Sequence, residues 1–269
     1  MAKKGKKKSG STAGKILWRV LFVLALCVLV FSVYNLIQIF LSYKEGTDEY
    51  DELRQYTAAV TPAAEQPQTD DSSSVEEQPA QPPLTVDFAS LQAINPDVKG
   101  WLYIETLDIS YPIVQGADND EYLHTTYEGN SNYAGSIFVD YQNSGDFSDC
   151  NTIVYGHNMK NQSMFGKLKL LKEWEEYKNS MYFWILTPEH DYRYEIFSVQ
   201  YTDASSDVYT LFSEPGTLFV DYLETMQSQS EIPVEERTFT AEDKVVTLST
   251  CSSSNGDGRF VVQGVQVPY

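Results

Sequence analysis

The chain has 269 residues, a formal net charge of −19 and 42% hydrophobic residues, which suits one folded domain with accessory segments rather than two full domains. Its charge is unevenly placed. Residues 1–44 hold eight of the 19 bases and none of the 38 acids, so the remainder carries 11 bases against 38 acids, a net −27. Such a domain repels phosphate backbones, which argues against nucleic acid as a partner and suits a solvated, exposed body.

Residues 1–19 read as a basic cytoplasmic tail. Val20 to Leu41 is a run of 22 residues without a charge. As a helix it spans ~33 Å, enough for a hydrocarbon core of ~30 Å. The bases before it predict a cytoplasmic N-terminus and an extracellular C-terminal domain, a single-pass protein of the cell membrane. The run is longer than a signal-peptide core and lacks a small-x-small cleavage site, so it reads as an uncleaved transmembrane helix, 20–41.

Residues 42–86 read as an acidic linker rich in Pro and Ser. Thr47–Ala59 lacks Pro and Gly and reads as an extension of the membrane helix. The following TPAAEQPQTDDSSSVEEQPAQPP has too little apolar content to bury a core and reads as a disordered tether. A coil of that whole linker reaches ~36 Å.

The folded domain is expected over 87–269. Asp87–Ile94 reads as a short capped helix closed by Asn95-Pro96. Eight β-rich runs follow: Trp101–Ile109, Tyr111–Val114, Gly135–Val139, Thr152–Tyr155, Tyr182–Leu186, Tyr192–Tyr201, Lys244–Thr250 and Phe260–Val267. Pro188–Asp191 reads as a hairpin turn. Two stretches carry helical spacing: Met164–Lys178, with Phe165, Leu168, Leu171 and Trp174 on one face, and Pro215–Ser228, with Leu218, Tyr222 and Met226. The class is mainly β with helices, arranged as a closed or nearly closed barrel.

Three residues at strand ends carry chemistry. Cys251 closes the run Lys244–Thr250 and precedes the polar loop Ser252–Gly258, where a reactive thiol is well placed. A free thiol is only ~3% thiolate at neutral pH and needs a base. His157 ends the strand Thr152–Tyr155 after a glycine and is the best such partner; His124 and His190 read as solvated surface. Arg259 opens the last strand, where a guanidinium suits a charge that develops during reaction. Taken singly, Cys251 also reads as a buried inert cysteine and Arg259 as a surface arginine beside Asp257. Cys27 reads as an apolar filler in the membrane run. A Cys150–Cys251 disulfide is conceivable, but it consumes the best nucleophile. No group of acids, histidines or cysteines has metal-ligand spacing, so no metal and no cofactor is expected.

These residues resemble the sortases, membrane-anchored cysteine transpeptidases of Gram-positive bacteria. The likeness rests on Thr247-Leu248-Ser249-Thr250-Cys251 followed by Arg259 and preceded by Tyr155-Gly156-His157-Asn158. Asn95–Leu102, Tyr111–Gly116, Asp118–Leu123, Gly135–Phe138 and the helical stretch before the cysteine strand are similar to class B members. The resemblance covers about 87–269. It implies an eight-stranded sortase barrel and a catalytic set of His157, Cys251 and Arg259. It further implies substrate contacts at Asn119, Leu123, Tyr155, Tyr209 and Ser249. The implied substrates are exported proteins with a C-terminal sorting signal of the Asn/Ser-Pro-x-Thr-Gly/Asn kind, cut after Thr. The implied acceptor is an amine of a peptidoglycan precursor. Two departures stand out: Cys150 where a polar residue is expected, and no acid directly after Cys251. The alternatives are a pilus-polymerising sortase, which commonly carries a C-terminal membrane helix, and a non-catalytic surface binding module. The chain ends at Tyr269, right after its last strand, which does not favour the first.

Overall fold

The computed structural model describes residues 12–60, 81–173, 175, 178, 180–251 and 257–269, with the backbone alone at 12, 13 and 251. Most of the basic tail, the tether over 61–80, Trp174 of the expected helical stripe and the loop 252–256 lie outside these. The described residues fall into two compact units, Met1–Glu45 and Gly46–Tyr269. Helix α1, Thr12–Leu53, begins in the first and ends in the second. From Ile16 to Leu41 its large apolar side chains are exposed. Among the described residues it is the one helix long and apolar enough to cross a membrane.

In the second unit the last turns of α1 bury Tyr50 and Leu53 at 3% and 1% exposure. Strand β1, Thr57–Ala59, then pairs antiparallel with β2, Leu84–Val86. Part of the expected linker is therefore built into the domain. Helix α2, Phe88–Ile94, starts where the sequence places it, with the Asp87 carboxylate accepting from Ser90 N at 3.0 Å. That bond satisfies one of the free N–H groups of the first turn.

The barrel strands are β3 (Val98–Ile104), β4 (Ile109–Val114), β5 (Ile137–Val139), β6 (Asn151–Tyr155), β7 (Tyr182–Leu186), β8 (Asp191–Asp203), β9 (Val245–Cys251) and β10 (Gly258–Val267). They close in the order β10-β8-β7-β3-β4-β5-β6-β9. The expected eight-stranded barrel is present. Every pairing is antiparallel except β4 with β5 and β6 with β9. The single run expected over Trp101–Ile109 is split by a 3₁₀ turn at Glu105–Leu107, capped by Asp108 in the left-handed region at φ 47°. Trp101, Leu102, Ile113, Val114, Phe183, Leu248, Phe260 and Val262 are fully buried and form part of the core.

Helix α3, Thr217–Ser228, packs Phe219, Tyr222, Leu223 and Met226 against Phe197, Val245, Val261 and Val265. Tyr222 and Met226 are buried as expected, but Leu218, expected on the same face, is 76% exposed and Phe219 takes its place. Of the Met164–Lys178 stretch the described residues are 164–173, 175 and 178, and Glu175 is helical. It holds a 3₁₀ helix, Leu168–Lys172, with Phe165, Leu168 and Leu171 fully buried.

Candidate active site

Parallel pairing brings two distant strand ends together. In the β6–β9 ladder Tyr155 lies opposite Ser249, and Gly156 N extends it by donating to Ser249 O at 3.1 Å. His157 is two residues beyond Tyr155 and Cys251 two beyond Ser249, so both leave the barrel at the same rim. Strand β10 runs antiparallel to β9 with Arg259 opposite Cys251. Register alone therefore gathers the three candidate catalytic positions from stretches far apart in sequence. The Cys251 side chain lies outside the described residues.

Gly156 is required at the turn into His157. A Cβ there would stand 2.7 Å from Phe165 Cδ2, a clash that a packed core does not absorb. The His157 ring is fixed on several sides. Its Nε2 lies 2.7 Å from Leu123 O. A carbonyl only accepts, so Nε2 carries the proton and Nδ1 keeps the lone pair in the neutral ring. The ring stacks on His124 at 5.4 Å and on Tyr133 at 5.7 Å. His124 is exposed, as expected, yet belongs to this stack; sequence reasoning gave it no such place. Burial pulls the His157 pKa below its ordinary value, the Leu123 bond opposes that, and neighbouring His124 adds to it.

A cavity of about 170 Å³ opens beside this ring, lined by Asn119, Leu123, Phe138, Tyr155, Gly156, His157, Ser249, Thr250 and Arg259. Four of the five expected substrate-contact residues are among them. The fifth, Tyr209, bonds Ser249 Oγ through its hydroxyl at 2.7 Å and lines a neighbouring cavity of about 230 Å³. Tyr155 and Arg259 line both cavities. The two cavities therefore adjoin at these side chains. Arg259 is half-buried and donates from Nη1 to Gly258 O at 3.1 Å.

One structural residue of the site went unread. Asp140, 4% exposed, follows β5 and accepts at Oδ2 from Asn119 Nδ2 at 2.9 Å and from the Tyr155 hydroxyl at 3.0 Å. Its Oδ1 accepts from Gln142 N at 2.9 Å. Burial, then the nearby Asp140 charge, push the Tyr155 pKa well above its ordinary value, so the phenol stays protonated and keeps donating. The available signal was an acid directly after the apolar run Ile137-Phe138-Val139. The other thiol of the folded domain, Cys150, is free and buried, with its pKa raised chiefly by that burial. His190 is exposed in its hairpin turn, as expected.

The Sortase domain family profile matches residues 102–267. Sortase B of Listeria monocytogenes is 40% identical over 182 residues, 66% of this chain and 73% of that protein. Sortase B of Staphylococcus aureus is 25% identical over 232 residues, 86% of this chain and 88% of that one. Among solved structures, sortase B from Bacillus anthracis in complex with AAEK1 matches with a TM-score of 0.69 at 33% identity, covering 86% of this chain and all of that one. A Staphylococcus aureus sortase B–substrate complex matches with a TM-score of 0.63 at 27% identity, over 67% of this chain and 84% of that one. On a family match over more than half of its length, and with relatives of one class by sequence and by fold, the chain belongs to the sortase family, among the sortase B proteins, and is a cysteine transpeptidase.

Proposed function

We propose that this transpeptidase is held at the membrane by the apolar part of α1, its domain outside the cell. There it cleaves exported proteins after the Thr of an Asn/Ser-Pro-x-Thr-Gly/Asn sorting signal and joins them to a peptidoglycan amine. The observation that carries the reading is the convergence of His157, Arg259 and the Cys251 backbone at one end of a groove lined by Asn119, Leu123, Tyr155 and Ser249.

In this reading Cys251 gives its thiol proton to Nδ1 of His157, the ring atom left free by the Leu123 bond, as its sulfur attacks the Thr carbonyl. The carbonyl π pair moves to oxygen, where the Arg259 guanidinium offsets the new charge. Collapse breaks the C–N bond, and the imidazolium returns the proton to the leaving amine. The acceptor amine then attacks the thioester and gives a proton to His157. The C–S bond breaks, and the thiolate takes that proton back. Asn119, Tyr155 and Tyr209 form the groove wall that holds the signal.

The test uses the Gly46–Tyr269 fragment, a compact unit in its own right, with fluorogenic peptides ending in Pro-x-Thr-Gly or Pro-x-Thr-Asn. Cleavage should vanish in Cys251→Ala. It should fall ~100- to 1,000-fold in Arg259→Lys, which keeps the charge but loses the planar fork. Equal cleavage by Cys251→Ala would remove the nucleophile and the mechanism with it. Protease added to intact protoplasts should digest the domain; protection would reverse the orientation.

A further inference from the structure

The last turns of α1 are bound to the loops that hold His157. The Tyr50 hydroxyl donates to Gly135 O at 2.7 Å, lies 3.0 Å from Ser136 Oγ and accepts from Tyr127 N at 3.3 Å. Gly135 sits at φ +56°, and a Cβ on it would run into the Leu123 carbonyl oxygen. That oxygen is the one that accepts from His157 Nε2. The residue after Gly135, Ser136, donates its N–H to Tyr122 O at 3.0 Å, and Tyr122 precedes Leu123. Three steps therefore lead from Tyr50 to the imidazole: a hydrogen bond to Gly135, a backbone hydrogen bond from Ser136 to Tyr122, and the Leu123 hydrogen bond to the ring.

A second route reaches the same residue from its backbone side. The Tyr50 ring stands edge-on to Tyr111 at 5.5 Å and 87°. The Tyr111 hydroxyl accepts from Met164 N at 3.2 Å, and the next residue, Phe165, donates its N–H to His157 O at 3.0 Å. Neighbours on the same turns add to the clamp. Glu49 accepts from Glu128 N at 3.0 Å and Asn130 Nδ2 at 3.3 Å, and Thr47 Oγ1 accepts from Asn161 Nδ2 at 3.3 Å. The loop between β4 and β5 spans residues 115–136 without a regular element of its own. Tyr50 meets it at Tyr127, Gly135 and Ser136.

We infer that Tyr50 is a positioning residue of this sortase: through Gly135 and Leu123 it fixes the orientation of the His157 ring, so the segment leading from the membrane helix is part of the catalytic apparatus rather than a passive tether. The inference rests on the proposed role of His157 as proton carrier. A hydroxyl buried at 3% exposure with three polar neighbours also stabilises the fold, and the experiment must separate the two effects.

The variant is Tyr50→Phe in the full chain, in detergent micelles. It removes the hydroxyl and keeps the ring edge against Tyr111, so folding is preserved; Glu49→Ala is a milder second break of the same clamp. Losing one ordering hydrogen bond should lower kcat about threefold to tenfold with KM within about twofold. It should also displace the His157 titration midpoint downward, because the Leu123 bond that opposes burial is loosened. The described groups facing that ring are His124, Tyr133 and, across the cavity, Arg259, and the proposed mechanism adds the Cys251 thiol; Y50F alters none of them. The chain has only three histidines, so their ring protons are assignable by NMR with H157Q, independently of turnover. A lower Tm with unchanged kcat and an unchanged His157 midpoint would overturn the positioning role. Turnover retained in H157Q would overturn the catalytic role of His157, and with it the catalytic meaning of Tyr50. The Y50F titration still reports the mechanical link in that case.

Discussion

Asp140→Asn tests whether the groove wall is held by a single buried carboxylate. The substitution keeps shape and volume, so any effect comes from hydrogen bonding and charge. The carboxylate accepts three bonds: Asn119 Nδ2 and the Tyr155 hydroxyl at Oδ2, and Gln142 N at Oδ1. An amide has one acceptor oxygen, so one side must now face a donor. With the oxygen toward Gln142, the new NH₂ confronts both groove residues. Asn119 does not turn over to help, because its own Oδ1 accepts from Tyr141 N at 3.0 Å. With the oxygen toward the groove, Gln142 N is orphaned and the two remaining bonds lose their charge assistance. An unsatisfied buried group costs about 1–3 kcal/mol, and bonds to a charged group contribute roughly twice as much as neutral ones. Gln142 is itself exposed, so water replaces part of its lost bond, and the less costly arrangement loses about 1–2 kcal/mol. Urea unfolding of the Gly46–Tyr269 fragment should show that loss. Peptide cleavage should show a raised KM from a loosened Asn119–Tyr155 wall, with the Cys251 alkylation rate unchanged. A stability loss below ~1 kcal/mol with an unaltered KM would refute the assignment of Asp140 as the anchor.

His157 gives a pH prediction whose sign follows from its lowered pKa. Below the ordinary value of 6.5 the unfolded chain binds a proton that the folded chain resists, so this contribution to stability is present above pH 6.5 and lost as pH falls through the lower folded value. Wild type should therefore lose more urea stability than His157→Gln between pH 7 and pH 5; parallel slopes would contradict it. Cys150 gives a labelling prediction. Its thiol is buried and pushed up, so iodoacetamide at pH 7 should modify one thiol of the Gly46–Tyr269 fragment, and the Cys251→Ala variant should react only once unfolded. Rapid native labelling of that variant would contradict it.

Much of the barrel was legible because its strands are short apolar runs between Gly, Asn, Asp and Pro. The boundaries of β7 came out as read, and β6 and β9 came out within one residue at either end. The errors have local causes. The run read as one strand turns at Glu105–Leu107, where Asp108 closes the turn at φ 47°, a conformation that aspartate tolerates better than most residues. Phe165, Leu168 and Leu171 recur at a strict interval of three. That spacing fits the eclipsed faces of a 3₁₀ helix better than the alternating three and four of an α-helix. The burial of Tyr50 had no such signature. Its partners Tyr127, Gly135 and Ser136 lie 77 to 86 residues further along, and the intervening Pro- and Ser-rich composition suggested that nothing before it was packed.

The site divides along the same line. Cys251, His157 and Arg259 were readable because each residue type sits at a strand end, a local property. That they meet depends on β6 and β9 being parallel neighbours, and nothing within either strand states this. Parallel strands require a crossover, and here it contains β7, β8 and α3, about ninety residues in which hydrophobic pattern defines elements but not their order. Asp140 shows the converse. It is adjacent in sequence to a recognisable strand, but its role exists only because Asn119 and Tyr155, 21 and 15 residues away, turn their polar atoms onto one buried oxygen. A carboxylate in that position is retained only if its acceptors are filled, so the two groove residues and the acid specify one another. Changing Asn119 alone should therefore disturb Tyr155 through Asp140, and a double-mutant cycle between Asn119→Ala and Tyr155→Phe should be non-additive although their side chains bond the acid rather than each other.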